Sequence, residues 1–134
     1  MINSDFALSV HALLLLATYE GELLTSGRLS ELLKVHPVRI RKVLSKMKSK
    51  GYIDSKEGSS GGFSISCNIS AVSLKEIYLL NQEDLLKPKC HDCCVSCKIG
   101  SNIENVLDDI LSGADDKFQE YLEKYSLKSV LEKL

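Results

Sequence analysis

Two short amphipathic segments, separated by only Lys34-Val35-His36, constrain this chain more than any other feature. The first runs from about Ser26 to Leu33, with Leu29, Leu32 and Leu33 on one face and Thr25 or Ser26 placed to cap it. Pro37 opens the second. A proline suits the first helical turn, because the N–H it lacks would have no partner there. Ile40, Val43, Leu44 and Met47 follow at i, i+3, i+4 and i+7, a buried stripe that ends near Ser49, with Gly51 as the stop. Arg39, Lys42, Ser45 and Lys46 fall on the outer faces. A tight connection between two short helices, the second with a basic exterior, is the helix-turn-helix pattern.

The next residues extend the pattern into a wing. Tyr52 to Lys56 reads as a strand, Glu57-Gly58-Ser59-Ser60-Gly61-Gly62 as a glycine-rich turn, and Phe63 to Cys67 as a returning strand with Phe63 and Ile65 on one face. The turn is not a nucleotide loop, since the chain holds neither a G-x-x-x-x-G-K nor a dinucleotide fingerprint. After a helix-turn-helix its glycines suit a backbone that approaches DNA closely.

Helices are expected on both sides of this unit. Ser4 or Asp5 can cap a first helix reaching about Glu20, with Phe6, Val10, Leu13, Leu14 and Ala17 at helical spacing and Gly21 after it. Leu8, Ala12, Leu15 and Leu16 make its other side apolar too, so it is expected to be buried on more than one side. His11, inside it, is expected in the core or an interface and is given no function. Ser73-Leu74-Lys75-Glu76 has the form of a capping box and opens a helix to about Leu80. Ser101 is placed to cap a further helix carrying Ile103, Val106, Leu107, Ile110 and Leu111; Gly113 interrupts the stripe, and Phe118, Tyr121, Leu122 and Tyr125 resume it. Little protein remains to cover that stripe, so it is expected to pack on a second copy of the chain. Ser126 to Leu131 opens a short terminal helix.

Charge points to a polyanion. The net charge is only −1, yet Lys34, Arg39, Arg41, Lys42, Lys46, Lys48 and Lys50 follow one another with no acid between them. The acids gather after Ser101 instead, from Glu104 to Glu132. No run of about 18 apolar residues is present to span a membrane. The stretch Ala12–Ala17 is too short for a signal peptide, and a cytoplasmic location is expected.

Four of the five cysteines lie in Cys90-His91-Asp92-Cys93-Cys94-Val95-Ser96-Cys97. Clustered thiolates repel and oxidise unless something holds or uses them. Three uses are open: tetrahedral zinc or an iron–sulfur unit held by Cys90, Cys93, Cys94 and Cys97, with His91 as an alternative ligand; reversible disulfides Cys90–Cys93 or Cys94–Cys97 and no cofactor; or a zinc staple without a sensing role. Cys67, alone, reads as packing. A thiol oxidoreductase would need its C-x-x-C between a strand and a helix, a context this chain lacks. A winged helix used only for protein contact is disfavoured by the unopposed basic block.

The whole chain resembles the Rrf-two family of bacterial winged-helix regulators, which includes the iron–sulfur regulator of cluster assembly, the nitric-oxide-sensing repressor and the repressor of cysteine metabolism. The resemblance rests on Asp5-Phe6-Ala7-Leu8, Leu29-Ser30-Glu31-Leu32, His36 to Leu44, Gly51-Tyr52-Ile53, Gly58 to Phe63 and Ser73 to Ile77. It implies a homodimer on a two-fold symmetric double-stranded operator, most often as a repressor. By position, His36, Pro37, Val38, Arg39 and Arg41 begin the recognition helix and are candidates for base and phosphate contacts. Lys42 and Lys46 are placed for phosphates, Ser59, Ser60, Gly61 and Gly62 form the wing tip, and Ser26 offers a backbone N–H to phosphate. The cysteine loop occupies the place where cluster-binding members hold their cluster, but C-x-x-C-C-x-x-C is tighter than their spacing. The expected fold is mainly α with a small β-wing: a winged helix-turn-helix domain at 1–80, a cysteine-rich sensor loop at 81–100, and a long dimerisation helix with a terminal helix at 101–134.

Overall fold

The computed structural model describes residues 5–81 and 98–134. Its order is α1 (Asp5–Thr18), α2 (Ser26–Leu33), α3 (Pro37–Ser49), β1 (Ile53–Lys56), β2 (Gly62–Ile65), α4 (Leu74–Asn81), α5 (Lys98–Glu123) and α6 (Leu127–Glu132). The helix-turn-helix and wing thus lie where the sequence pattern predicts them. Ser4 and residues 82–97, including Cys90, His91, Cys93, Cys94 and Cys97, lie outside the described residues.

α1 is the element around which the head is assembled. Its leucines point in several directions because α2, α3, α4, α6 and β2 all pack on it. Ala12, Leu13 and Leu16 are fully or almost fully buried, and they meet Leu29, Ile40, Val43, Leu44, Met47, Ile53, Ile77 and Leu127 in one core. Each of the larger side chains contributes about 1.5–3 kcal/mol on leaving water. His11 is exposed, which removes the core alternative of the two expected for it, core or interface. With Thr18 it marks a strip of α1 left open among the described residues.

Caps fix the ends. Thr25 Oγ1 accepts the Arg28 N–H at 3.0 Å and starts α2. Lys34 ends it at φ 54°, ψ 47°, a left-handed turn that lets Val35 N–H reach back to the Ser30 carbonyl at 3.2 Å. His36 Nδ1 accepts the Val38 N–H at 3.2 Å and starts α3. The capping box of α4 closes in both directions, Ser73 N–H to Glu76 Oε2 at 2.8 Å and Glu76 N–H to Ser73 Oγ at 3.4 Å.

β1 and β2 pair antiparallel, Ile53 opposite Ile65 and Lys56 opposite Gly62. Leu24 adds a bridge to the outer side of β2, exchanging N–H to carbonyl bonds with Phe63 at 3.0 and 2.8 Å. The wing is therefore tied to the turn before α2. Cys67 follows β2, partly buried, and burial pushes its thiol pKa up, as suits a packing residue.

One expectation about the C-terminal part is corrected. α5 starts at Lys98, so Ser101 lies inside it and not at its cap, while the helix runs unbroken through Gly113, where the apolar stripe is interrupted. One glycine in a helix interior costs about 1 kcal/mol, too little to stop a helix of good formers. The chain then turns back: α6 begins at the Ser126 cap, its Leu127 is buried in the head core, and Leu127 N–H donates to the Val72 carbonyl at 3.0 Å.

Candidate nucleic-acid interface

α3 presents three strips to its surroundings. Ile40, Val43, Leu44 and Met47 face the core. Val38, Lys42, Ser45 and Ser49 form the exposed ridge opposite them. Between ridge and core run two basic flanks, each a pair of cations two turns apart: Arg41 and Lys48 on one side, Arg39 and Lys46 on the other.

The first flank faces the wing. Arg41, Ser45 and Lys48 line an open groove of about 500 Å³ whose other walls are Thr25 and Ser26 at the start of α2, and Ser55 to Gly58, Gly61, Gly62 and Phe63 of the wing. The fold thus brings together Ser26, Arg41, Gly61 and Gly62, which the sequence singles out as contacts, with Lys48, marked there only as part of the basic run, and Lys56, which is not marked. The spacing of Lys48 from Arg41 was a usable sign; nothing local marked Lys56. Ser59 and Ser60 are exposed at the wing tip.

The second flank faces α1. Asp5, in the first turn of that helix, lies 3.0 Å from Arg39 Nε and 3.9 Å from Lys46 Nζ. Arg39 and Lys46 are accordingly only about a third exposed, at 34% and 33% for their side chains. His36 is exposed while its Nδ1 serves as the α3 cap.

The wing glycines have a reason inside the chain. A Cβ on Gly61 would lie 2.0 Å from the Lys56 carbonyl oxygen, and one on Gly62 would lie 2.9 Å from the Leu24 backbone. Close approach of the wing to itself and to Leu24 therefore requires glycine at both positions, whatever the wing touches outside.

The stripe on α5 divides. Phe118 lies edge-on to Tyr78 of α4 with centroids 5.0 Å apart, Tyr78 in turn meets Phe6 of α1 at 6.2 Å, and Leu122 is buried. The hydroxyl of Tyr78 donates to the Asp115 carboxylate, which also accepts from Gln119 Nε2 at 2.7 Å. That end of the stripe packs on its own chain, against the expectation that Phe118 faces a second copy. Toward the N-terminus, Ile99, Val106 and Ile110 are 74%, 50% and 62% exposed, and Ile103, Leu107 and Leu111 are partly so.

A three-layer α3 beside a tethered two-stranded wing defines a winged helix-turn-helix protein. The chain belongs to the Rrf2 family, described as iron-dependent transcriptional regulators, which it matches over residues 2–133. It is 28% identical over 142 residues to a Bacillus subtilis chain described as an HTH-type transcriptional regulator, YwnA, covering 100% of this chain and 99% of that one. A crystal structure described as a transcriptional regulator from Lactobacillus plantarum superposes with a TM-score of 0.79 at 25% identity, over 95% of this chain and 87% of the other. The structure of IscR from T. potens shares the fold, with a TM-score of 0.70 at 14% identity over 99% and 87% of the two chains. Among the described residues no helix is long and apolar enough to cross a membrane.

Proposed function

We propose that this chain is a homodimeric DNA-binding transcription regulator, acting as a repressor, whose α3 enters the major groove while the wing touches the flanking backbone. The observation that carries the reading is the outer surface of α3, which holds no acid of its own and is continuous with a groove where Arg41 and Lys48 of α3 meet Lys56 of β1 against a single acid, Glu57. Phosphates supply most of the attraction for such a surface, and base edges supply the sequence preference.

The side chains divide the work by position. Val38, exposed at the start of α3, suits a thymine methyl group, and Arg41 suits the O6 and N7 acceptors of guanine or the adjacent phosphate. Lys42 and Lys48 suit phosphates on either side of the ridge. Thr25 and Ser26 present the N-terminus of α2, where free N–H groups attract an anion. His36 and Pro37 bring α3 to the groove floor, and Ser59 and Ser60 carry the wing tip to the backbone. Two copies joined through Ile103, Val106, Leu107, Ile110 and Leu111 would set two such heads on half-sites about one helical turn, roughly 34–36 Å, apart.

The input belongs to the cysteine segment. Four thiols and His91 form a soft donor set that fits zinc or an iron–sulfur unit by its chemistry, and the same thiols can pair as disulfides. The segment joins α4 to α5, so either event acts between the DNA-reading head and the helix proposed to join two heads.

Fluorescence titration of duplex DNA at several salt concentrations tests the reading. Binding should weaken linearly in log–log form as salt rises. Arg41→Gln should cost about 1–3 kcal/mol on the operator. Salt-independent binding, or none, overturns the assignment. For the input, Cys93 and Cys94 replaced together should abolish the response of DNA binding to oxidant or added metal; an unchanged response removes the segment from that role.

A further inference from the structure

The two basic flanks of α3 are not equivalent, and Asp5 makes them so. Arg41 and Lys48 line an open groove that also holds Lys56 and Glu57 but, among the described residues, make no ion pair there, whereas Arg39 and Lys46 converge on one carboxylate from another helix. Asp5 is itself only 19% exposed, so its charge is directed at those two cations more than at solvent. An acid so placed competes with any phosphate that approaches this flank, since both need the same guanidinium and ammonium groups.

We propose that Asp5 is an affinity-setting residue of the DNA-reading surface: its carboxylate holds Arg39 and Lys46 back from phosphate, so that the α1 side of α3 contributes less charge than the wing side. The inference rests on the DNA-binding reading above and deepens it. It also gives that flank a connection to the rest of the fold. The Asp5 carbonyl accepts the Ser9 hydroxyl at 2.7 Å, and the fully buried Ser9 oxygen accepts Asn81 Nδ2 at 3.2 Å. Asn81 is the last residue of α4 and is anchored by a second bond from the same nitrogen to the Ile77 carbonyl at 2.9 Å. The position of Asp5 against the recognition helix is thus fixed through two buried side chains by the end of the helix that leads into residues 82–97.

The test is Asp5→Asn in the full-length protein, which keeps the side-chain volume and removes the charge. Expected is tighter binding to an unrelated duplex by about two- to fivefold per head, the range of an exposed to half-exposed ion pair. The salt dependence should steepen by about 0.9 for each phosphate newly engaged. In a background of Arg39→Gln with Lys46→Gln, the same Asp5 substitution should change neither quantity. Equal effects in both backgrounds would mean that Asp5 acts by general repulsion of DNA, and that overturns the proposal, as does an unchanged or weaker affinity in Asp5→Asn with an unchanged thermal midpoint. If Asp5→Asn lowers the midpoint, Asn81→Ala supplies the second reading: loosening the Ser9 anchor while leaving every charge in place should move DNA affinity in the same direction, and no movement rejects the role of Asp5. A parent protein that binds no duplex at any salt concentration instead removes the underlying DNA-binding function.

Discussion

The head and the long helix α5 use the same kind of amphipathic helix to opposite ends. In the head, α1 is apolar nearly all round and every apolar strip meets another element of its own chain, so Leu13 and Leu16 reach full or almost full burial. In α5, among the described residues, the C-terminal end does so through Phe118 and Leu122, while Ile99, Val106 and Ile110 are exposed. A short helix can be surrounded by a domain of this size; a helix of 26 residues outruns it by several turns. That exposed end is the face proposed above to meet a second copy.

That contrast can be broken most decisively at Ile110. A carboxylate placed there by Ile110→Glu would be buried unpaired in a dimer, at about 3–5 kcal/mol, and harmless in a monomer. Sedimentation should show loss of the dimer with the circular dichroism of the head retained; a variant that remains dimeric assigns the interface elsewhere. Leu13→Ala should do the reverse. It opens a cavity in the head at about 2–5 kcal/mol, read by urea unfolding, and leaves self-association of the folded protein unchanged. The smallest effects come from glycine, and they differ in sign between the two regions. Gly61→Ala drives a methyl group into the Lys56 carbonyl and should destabilise by about 1–3 kcal/mol. Gly113→Ala, where an added Cβ meets nothing within 4 Å, should stabilise α5 by about 0.5–1 kcal/mol in the same unfolding measurement. Equal signs at the two positions would show that one of these local environments is misassigned.

Much of the head was legible because its signals are local. Pro37, the 3.6-residue stripe from Ile40 to Met47, the Ser73–Glu76 box and the Thr25 and Ser126 caps each act within one or two turns, so reading the residues in order recovers α2, α3, α4 and α6 to within a residue or two. The serine–glycine turn marked the wing for the same reason. Where the sequence reading went astray, the deciding contact was remote. His11 was expected in the core or an interface because it sits among leucines, and it is not in the core because no element among the described residues covers that strip. Ser101 was expected to cap the long helix, and it lies inside a helix that begins at Lys98. Phe118 was expected at a subunit interface, and it lies against Tyr78, 40 positions earlier in the numbering.

The candidate interface divides along the same line. By itself the sequence determined that a helix-turn-helix exists, that its second helix is basic without any acid, and that Arg39, Lys42, Ser45 and Lys46 stand off its buried stripe, since helical periodicity alone separates outer from inner. Only the tertiary structure decided that Lys48 and Lys56 share a groove with Ser26, that Gly61 and Gly62 are required by the backbone of the wing itself, and that Arg39 and Lys46 are engaged by Asp5. Charges read along a chain carry no distances. Asp5 and Arg39 are 34 residues apart in sequence and 3.0 Å apart in space, and it is the packing of α1 against α3 that turns an apparently uniform basic helix into one with an open flank and a restrained one.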